Sequence, residues 1–389
     1  MGDVEQQPIT AKVVGRIADL DADQWDACAG DDDPFVSHAF LRSLEDSGSA
    51  APETGWAASH LVIEGADGRL AGAVPMYLKS HSLGEYVFDH AWAHAYERAG
   101  GRYYPKLQAA VPFTPVTGPR LLVPPGEDSD RARRVLLAGC VELARQTGVS
   151  SLHVTFPTEA EWRLLGESGF LLRTGEQFHW HNEGYRTFDD FLRSLAARKR
   201  KAIKRERRDA LAGGDIAVDV LTGADLREDH WDAFFEFYTD TGSRKWGSPY
   251  LNREFFGLIG DRLGDRIMLV LASRGGRPIA GALNLIGGEA LYGRYWGCTE
   301  HHRFLHFELC YYRAIDFAIA RGLKRVEAGA QGPHKIARGY LPVRTYSAHW
   351  VRDPGFRRAL ADYLDDERRE VEAELDYLGE RSPFRRGGG

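Results

Sequence analysis

HLVIEGADGRLAGAVPMYL (residues 60–78) and IMLVLASRGGRPIAGALNLI (residues 267–286) are the stretches that decide the fold. Each consists of an apolar run, a turn that contains glycine and arginine, and a second run that begins near an Ala-Gly-Ala triplet. Two apolar runs joined by a glycine-containing turn are typical of a β-hairpin. Because this pattern occurs once in each half of the chain, it indicates an internal repeat.

Two further pairs of segments follow the hairpins in the same order. LLAGCVELARQTGVSSLHV (136–154) and ELCYYRAIDFAIARGLKRVE (308–327) both predict a helix that ends at a glycine and leads into a short strand. FLLRTGEQFHW (170–180) and YLPVRTYSAHW (340–350) share Arg-Thr and His-Trp at nearly the same spacing. Three matched segments in one order indicate that the chain is a duplicated α/β protein.

Helices are predicted before the hairpin in each half. The candidate N-terminal helices span residues 22–29 and 39–46 in the first half, and residues 189–212 and 229–241 in the second. This alternation of strands and helices predicts a mixed, twisted sheet flanked by helices in each half. We place the boundary after the first His-Trp strand, so that residues 1–185 form the first domain and residues 186–389 the second.

The composition is that of an ordinary globular protein. The 389 residues suit two medium domains, and 50 Lys plus Arg against 56 Asp plus Glu give a net charge of −6, which does not suggest a protein that coats nucleic acid. The chain shows no secretory pattern and no apolar run of the ~20 residues that a membrane helix needs, so we expect a cytoplasmic protein without membrane insertion. Cys28, Cys140, Cys298 and Cys310 are scattered without a C-x-x-C pair, and we expect buried thiols.

A dense cationic segment, RKRKAIKRERR (residues 198–208), lies near the start of the second half. So many cations repel one another unless anions neutralise them, so we interpret the segment as a phosphate-binding helix whose start Asp189 or Ser194 caps. A nucleotide diphosphate, a coenzyme A phosphate and an RNA backbone all suit it, and a merely solvated helix face is the alternative. The predicted phosphate-binding residues are Lys199, Arg200, Lys201, Lys204 and Arg205.

An aromatic and histidine-rich stretch, residues 85–119, is predicted to be a long loop because it is rich in glycine and proline. Long loops in compact domains are usually functional, and polar aromatic side chains suit the wall of a cleft; packing between the two halves is the alternative. The predicted substrate-binding residues of this stretch are Asp89, His90, Tyr103 and Tyr104. His90 and His94 have the spacing of metal ligands on a helix, but no H-E-x-x-H pattern surrounds them, so we predict no metal site.

Polar residues gather after the second hairpin, where loops at strand ends would place a ligand in an α/β protein. Transfer of an acyl group to an amine needs a group that takes the amine proton and a positive donor that stabilises the oxyanion. Lys335 and Arg338 can supply positive charge, and His334, His306 or Glu308 can take a proton. We predict that Lys335, Glu308 and His334 are catalytic. The further predicted substrate-binding residues are Arg294, Tyr295, Trp296, His306, Gln331, Arg338 and Tyr340.

Two of these residues have a second interpretation. Glu308 lies where a helix is predicted to begin, so its charge also suits the helix dipole, and His334 taken alone also suits a surface position. No G-x-S-x-G elbow, Walker A loop or G-x-G-x-x-G loop occurs, which argues against a serine hydrolase, a P-loop ATPase and a nicotinamide enzyme. We therefore expect direct transfer between a bound donor and a bound acceptor, with no tightly bound cofactor.

The most distinctive motifs are QFHW (177–180), the cationic segment, GRYWG (293–297), LHFE (305–308) and residues 329–342. Together they resemble the GNAT superfamily, and more closely its duplicated Fem-like branch, the bacterial family labelled predicted N-acyltransferase or peptidoglycan biosynthesis/recognition. The resemblance implies two tandem GNAT-like domains, with aminoacyl-tRNA as a donor and an amine of a nucleotide-linked precursor or small molecule as the acceptor. In such relatives a lysine near the reacting carbonyl corresponds to Lys335, and a cationic helix at the start of the second domain corresponds to the cationic segment.

One segment departs from the superfamily pattern. Ordinary acetyltransferases bind the coenzyme A pyrophosphate with a glycine-containing loop at a helix N-terminus, whereas residues 299–305 contain no glycine and residues 124–128 of the first half are acidic. We therefore expect aminoacyl-tRNA or another activated acyl donor. The alternatives are an acyl-CoA-dependent N-acetyltransferase and a non-catalytic protein that binds a phosphorylated ligand, and the oligomeric state is left open.

Overall fold

The computed structural model describes residues 10–126, 128–212, 215–245, 249–329 and 332–385. The chain divides by its contacts into two compact units, each built from two segments. Unit 1 comprises Met1–Thr174 and Thr345–Arg369, and unit 2 comprises Gly175–Arg344 and Glu370–Gly389. The sequence analysis placed one boundary between residues 185 and 186. The two units instead divide the last strand between residues 344 and 345 and the last helix between residues 369 and 370.

The elements alternate along the chain in the order expected of a duplicated α/β protein. The strands are β1 (Thr10–Val14), β2 (Trp56–Ala58), β3 (His60–Glu64), β4 (Leu70–Val74), β5 (Met76–Lys79), β6 (Lys106–Ala109), β7 (Ser151–Thr155), β8 (Leu171–His181), β9 (Ile216–Leu221), β10 (Ile267–Arg274), β11 (Arg277–Ile286), β12 (Ala290–Cys298), β13 (Arg325–Glu327) and β14 (Leu341–Val351). The helices are α1 (Ala22–Ala29), α2 (His38–Asp46), α3 (His90–Arg98), α4 (Ser129–Thr147), α5 (Glu159–Glu167), α6 (Phe188–Ser194), α7 (Ala197–Ala210), α8 (Glu228–Lys245), α9 (Arg253–Leu263), α10 (Leu305–Phe307), α11 (Arg313–Ala320) and α12 (Pro354–Gly379).

Unit 1 confirms the first predicted hairpin. β3 and β4 are antiparallel partners, and β1 pairs with β3 on its other side. Pro75 then interrupts the chain, since proline has no N–H for a ladder, and β5 continues in a second sheet with the order β2-β5-β6-β7-β14. In that sheet β6 and β7 are parallel. One of its faces is covered by α4 and α5, with an apolar core that includes Leu107, Leu136, Leu152 and Leu165.

Unit 2 confirms the second predicted hairpin. β10 and β11 are joined through Gly275 and Gly276, whose φ of +56° and +80° suit the central residues of a type I′ turn. The sheet has the order β8-β13-β12-β11-β10-β9 and is mixed, since β12 and β13 are parallel and β10 and β11 antiparallel. Its core includes Trp180, Met268 and Leu309.

A helix and a strand follow the hairpin in both halves, as predicted. α4 ends before Gly148 at φ +71°, and α11 is followed by Gly322 at φ +67°. These left-handed conformations favour glycine and close the helices, and β7 and β13 begin a few residues later. In unit 2 a π-helical turn, Glu308–Tyr312, separates α10 from α11. π-helical turns are frequent at functional sites.

The prediction of one helix over residues 189–212 is wrong. α6 and α7 are separate helices, because Leu195 and Ala196 between them have extended backbone. The Ala196 N–H donates to the carbonyl of Pro383, so the break is hydrogen-bonded to the C-terminal segment of the same unit. Such long-range pairing overrides local helix propensity.

The capping predicted for the cationic helix is also wrong. Ala196 is the N-cap of α7 and provides no side-chain hydrogen bond. The Ser194 hydroxyl donates to a backbone carbonyl of α6, whose own cap is Thr187. Asp189 lies 3.2 Å from the Nζ of Lys204. Asp189 therefore acts on α7 through its charge rather than as a cap.

The sequence predicted one long loop over residues 85–119, and this prediction is wrong. They contain α3 and β6, and β6 lies between β5 and β7 in the sheet. The strand was hidden because Lys106 and Gln108 alternate with Leu107 and Ala109, and lysine and glutamine are not typical strand residues.

Candidate active site

Two parallel strands of unit 2 part and leave an opening. β12 and β13 pair over three residues and separate after Tyr292↔Glu327, although β12 continues to Cys298. A β-bulge lies at the same place, at Arg294 of β12. Bulges bend a strand and are frequent next to active sites. The chain that leaves β13 at this opening is the one that carries the predicted catalytic lysine.

Lys335 lies in a 3-10 helix, Pro333–Arg338, shortly after β13. Only 3% of the residue is exposed, and its Nζ donates to the Gly329 carbonyl at 2.8 Å. Burial lowers the pKa of Lys335 to about 8, because the protein solvates an ammonium group less well than water does. Lys335 is therefore a buried cation at neutral pH.

Gly339 ends the 3-10 helix at φ +91°, and a Cβ there would lie 2.7 Å from the Phe191 ring.

Aromatic and histidine rings form a continuous group beside this lysine, which we call the aromatic patch. Its members are Trp296, His306, Phe307, Tyr311 and His334. The ring centroids of Trp296 and His306 are 5.1 Å apart, and those of Phe307 and His334 are 5.9 Å apart. Nε2 of His334 lies 3.0 Å from the Tyr311 hydroxyl. Three members are half-buried and His334 is exposed, so the patch is accessible next to Lys335.

Arg338 links the aromatic patch to the cationic helix α7. Its guanidinium carbon lies 3.4 Å from the centroid of the Phe307 ring, and Nη2 lies 3.0 Å from both carboxylate oxygens of Glu206. Partial burial, and then the positive charges of Arg338 and Lys335, lower the pKa of His334. The site therefore combines fixed cations with an imidazole that is neutral at pH 7.

Glu308 is an ion-pair residue in this structure. It is 1% exposed, and each of its carboxylate oxygens accepts a hydrogen bond from Arg207 of α7 at 3.0 Å. Arg313 approaches Oε1 at 2.9 Å, and Arg207 also contacts Asp316 at 2.6 Å. These contacts hold the π-helical turn against α7. A role for Glu308 as a base stays a prediction.

The cationic helix α7 has two faces. Ile203, Glu206 and Arg207 face the rest of unit 2, and α7 packs against the 3-10 helix of Lys335. Lys204 pairs with an aspartate, as described above. In the part of the chain that the structure describes, no carboxylate lies within ion-pair distance of the remaining predicted phosphate-binding residues, Lys199, Arg200, Lys201 and Arg205. These side chains form an uncompensated cationic surface.

The other predicted substrate-binding residues of unit 2 have different surroundings. Tyr340 is fully buried, and its hydroxyl donates to the Tyr311 carbonyl at 3.4 Å, so it supports the aromatic patch from the core. The Tyr295 ring packs against α8, and the Arg294 guanidinium lies 5.2 Å from that ring. Gln331 lies outside the described residues. The structure thus brings together Lys335 and His334 with His306, Trp296, Arg338 and Tyr340.

In unit 1, Asp89, Tyr103 and Tyr104 meet at a lysine that was not predicted, Lys106. Its Nζ lies 2.5 Å from Oδ2 of Asp89, and the Tyr103 hydroxyl donates to the same oxygen at 2.7 Å. The Tyr104 ring centroid lies 6.0 Å from that Nζ. His90, at the start of α3, is exposed and does not join the group.

Sequence reasoning missed several residues of both groups. Glu206 is the one carboxylate within the cationic segment, a signal that could have marked it as the partner of an arginine. Tyr311 lies three residues after Glu308, at the spacing of neighbours on a helix surface, and this spacing could have marked it as part of the same group. His153 and His349, whose Nδ1 atoms are 2.6 Å apart in unit 1, carry no local signal because they lie on strands that are distant in the sequence.

Within the described ranges, no three or more His, Cys, Asp or Glu side chains are placed to hold a metal ion. Among the helices in these ranges, none is long and apolar enough to cross a membrane.

Two solved structures match nearly the whole chain with a TM-score above 0.5 and share its fold. FemX matches with a TM-score of 0.56 at 13% identity, over 90% of this chain and 100% of FemX. The C-terminal domain of a putative lysylphosphatidylglycerol synthetase from Agrobacterium fabrum matches with a TM-score of 0.53 at 11% identity, over 90% of this chain and 96% of that domain. A tandem GNAT protein from the clavulanic acid biosynthesis pathway matches with a TM-score of 0.45 at 14% identity, over 89% and 99%. The first two matches confirm the predicted α/β fold, a mixed sheet flanked by helices.

The match to a protein family extends over nearly the whole chain. No curated protein is significantly similar to it. The profile of the FemAB-like family, described as peptidoglycan biosynthesis/recognition, matches residues 16–386. This match confirms the resemblance that the motifs indicated. The chain therefore belongs to the FemAB-like family.

Proposed function

We propose that the chain is an N-acyltransferase that moves an activated acyl or aminoacyl group onto an amine of a small-molecule or nucleotide-linked acceptor, with its reaction centre at Lys335. The family and the GNAT fold support a role in acyl transfer. The observation that carries the proposal is a buried lysine, with its pKa lowered to about 8, on the chain that leaves the opening between β12 and β13. Such a lysine is mostly protonated at pH 7.

Lys335 is proposed to stabilise the oxyanion. When an amine attacks an ester carbonyl, negative charge develops on the carbonyl oxygen, and a fixed ammonium group in a water-poor site stabilises that charge more than water does. Nζ of Lys335 carries three N–H groups, and the Gly329 carbonyl accepts one of them. The other N–H groups are the proposed donors to the oxyanion.

His334 is proposed to take the amine proton. Its imidazole is neutral at pH 7, and if Nε2–H donates to the Tyr311 hydroxyl, Nδ1 keeps its lone pair. The amine nitrogen bonds to the carbonyl carbon, and its proton passes to Nδ1. The bond to the leaving ester oxygen then breaks, and that oxygen takes the proton from His334. In this scheme Glu308 holds Arg207 and α7 in place.

The aromatic patch favours an aminoacyl ester of RNA over acyl-CoA. In aminoacyl-tRNA the reactive carbonyl is esterified to the ribose that carries the terminal adenine, so the base and the carbonyl are neighbours. In acyl-CoA the pantetheine arm separates the adenine from the thioester. Rings that begin next to Lys335 therefore suit the stacking of a base close to the carbonyl. The cationic surface of α7 suits the phosphates of the adjoining nucleotides.

The segment in the position of a coenzyme A pyrophosphate loop does not suit a phosphate. Glu300 places a carboxylate there, 3.0 Å from Arg274 and 3.1 Å from His302. Phe304, just before α10, has φ +66° and carries a large ring where a pyrophosphate-binding loop has glycine. These features support our proposal that acyl-CoA is the second candidate donor.

Transfer from charged tRNA tests the donor. The protein would be incubated with aminoacyl-tRNA carrying labelled amino acids and a panel of amines, with and without ribonuclease, and in parallel with acetyl-CoA. We expect labelled product that ribonuclease abolishes, and none from acetyl-CoA. Product that persists after ribonuclease and requires acyl-CoA would refute the tRNA donor. Tight binding of a phosphorylated ligand without product from either donor would favour a non-catalytic role.

Substitution of the lysine tests the reaction centre. Lys335→Ala should lower kcat by about 100-fold or more, the usual effect of removing an oxyanion donor. Lys324→Ala is the matched control, since Lys324 is an exposed lysine of the same unit that pairs with Glu289. Unchanged turnover in Lys335→Ala would remove this lysine from the mechanism.

A further inference from the structure

One face of the larger sheet in unit 1 is polar although it is buried. Residues opposite one another in the ladders of β5, β6, β7 and β14 share this face. We call it the polar face, and its polar members are Tyr77, Lys79, Lys106, Gln108, Ser151, His153, Thr155, Ser347 and His349, none of them more than 3% exposed. Val351, opposite Ser151, is an apolar residue on the same face.

The other face of the same strands is apolar. Leu107, Leu152, Val154 and Ala348 lie there, against α4 and α5. A sheet normally buries apolar side chains, because a buried polar group costs free energy unless it is hydrogen-bonded. A buried face composed of polar residues therefore violates the usual pattern, and proteins do so mainly at functional sites.

Two lysines and two carboxylates balance each other at this face. Lys79 and Lys106 are direct cross-strand partners, a pairing in which like charges repel. Glu85 and Asp89 come from the segment that covers the face, and lie 2.7 and 2.5 Å from Nζ of Lys106. Glu85 also lies 3.9 Å from Nζ of Lys79. The formal charges sum to zero, so a charged ligand would leave one buried charge without a counter-charge.

Buried polar atoms without a hydrogen-bond partner gather at this face. Two of them can donate, the Tyr77 hydroxyl and Nε1–H of Trp56, which lies opposite Lys79. Among the described residues, Oε1 of Gln108, Oε1 of Glu85 and Oδ1 of Asp89 are buried and receive no hydrogen bond. The three residues are 0%, 4% and 2% exposed. Buried acceptors are nearly always paired, with protein, water or ligand. A molecule bound here would therefore donate hydrogen bonds to these oxygens and accept them from Tyr77 and Trp56.

We propose that the polar face of unit 1 is a second ligand site, and that its ligand is a neutral, polyhydroxylated molecule such as a sugar. Hydroxyl groups supply donors to the unpaired oxygens, and a neutral molecule leaves the balance of buried charges intact. The site and its ligand are argued from unit 1 alone, so they do not depend on the proposed transfer reaction.

The covering segment, residues 80–89, provides the route of entry. It contains no helix or strand, and it buries Glu85 and Asp89 while Leu83 and Phe88 are 50% and 59% exposed. Its contacts to the two sheet lysines are made through these carboxylates, the Ser82 hydroxyl and the Leu83 carbonyl. Outward movement of this segment exposes the polar face, and a ligand that replaces those contacts allows it to close again.

Calorimetric titration with four related sugars tests the proposal on the whole chain. Glucose offers hydroxyl donors without charge, permethylated glucose lacks the donors, glucosamine adds a positive charge and glucuronate a negative one. We expect saturable binding of glucose, with each of the other three weaker by about tenfold or more. No saturable binding of glucose, or equal binding of permethylated glucose, would overturn the proposal, and buried water would then satisfy the acceptors.

Variants locate the binding. Gln108→Leu removes one unpaired acceptor and should weaken glucose binding by about tenfold. Gln146→Leu makes the same change at an exposed position on α4 and should leave binding unchanged. Asp89→Asn keeps the shape of the side chain and serves if Gln108→Leu does not fold, as judged by circular dichroism. Glucose binding that survives both Gln108→Leu and Asp89→Asn, or that Gln146→Leu weakens equally, would contradict this location.

Discussion

Replacing Lys335 by methionine should stabilise the protein at pH 7. Lys335 is 3% exposed, and burial lowers its pKa from 10.5 to about 8. At about 1.36 kcal/mol per pH unit, the difference between these values corresponds to about 3 kcal/mol that the protonated lysine costs the folded state. Methionine loses the hydrogen bond to the Gly329 carbonyl, worth about 1 kcal/mol. We therefore expect the free energy of unfolding to rise by about 2 kcal/mol.

This gain should disappear as the pH rises. Below pH 8, Lys335 is protonated in the folded and in the unfolded chain, so the wild-type protein carries the full cost of a buried cation. Between pH 8 and 10.5 the folded chain has lost this proton while the unfolded chain still binds it. The stability of the wild-type protein therefore rises with pH relative to the variant. By pH 10 the difference should fall below about 1 kcal/mol.

Urea titrations at pH 7 and pH 10, followed by circular dichroism, measure both differences. Lys324→Met is the control, because its side chain is 70% exposed and forms a surface ion pair with Glu289. It should change the free energy of unfolding by less than about 1 kcal/mol. A Lys335→Met variant that is less stable than the wild-type protein at pH 7, or a difference that does not vary with pH, would refute the reasoning that burial makes this lysine a costly cation.

Further substitutions and a pH profile test the surroundings of this lysine. Glu308→Gln should lower the free energy of unfolding by about 3 kcal/mol, because two arginines lose a buried counter-charge; a urea titration that shows no loss would contradict the ion-pair role. Gly339→Ala should cost about 2 kcal/mol or more, since φ is +91° and the Cβ would clash, and thermal unfolding measures it. Lys199→Gln with Lys201→Gln should weaken tRNA binding and reduce the slope of log K against log salt by about 2, and an unchanged slope would exclude phosphate contacts. The kcat/KM of acyl transfer should fall as the pH rises through about 8, because Lys335 then loses its positive charge. A flat profile would argue against a role of this charge in the reaction.

Much of the architecture could be predicted from local patterns. The hairpins and the helices that end before Gly148 and Gly322 follow from apolar spacing and from glycine at left-handed positions, which are properties of a few neighbouring residues. The break at Leu195 and Ala196 could not be predicted, since it depends on hydrogen bonds from the C-terminal segment. β6 could not be predicted either, because its polar side chains lie on a buried face.

The candidate site was predictable only in part. Lys335, His334 and Arg338 lie in one short polar stretch, so their proximity follows from the sequence. Charge density does not reveal which cations of α7 face inward. Glu206 and Arg207 pair with Arg338 and Glu308, residues more than 100 positions away, whereas Lys201 remains in solvent. Which charged side chains of α7 face inward depends on how the helix packs against the rest of unit 2.

The sequence by itself determined the duplication, the two hairpins and the cluster of polar residues around Lys335, because repetition, turn chemistry and short spacings are local features. Only the tertiary structure decided the lowered pKa of that lysine and the ion pair that occupies Glu308, since burial and charge neighbours depend on packing. It also decided the polar face of unit 1. His153 and His349 are 196 residues apart in the chain, and strand pairing alone brings their rings into contact.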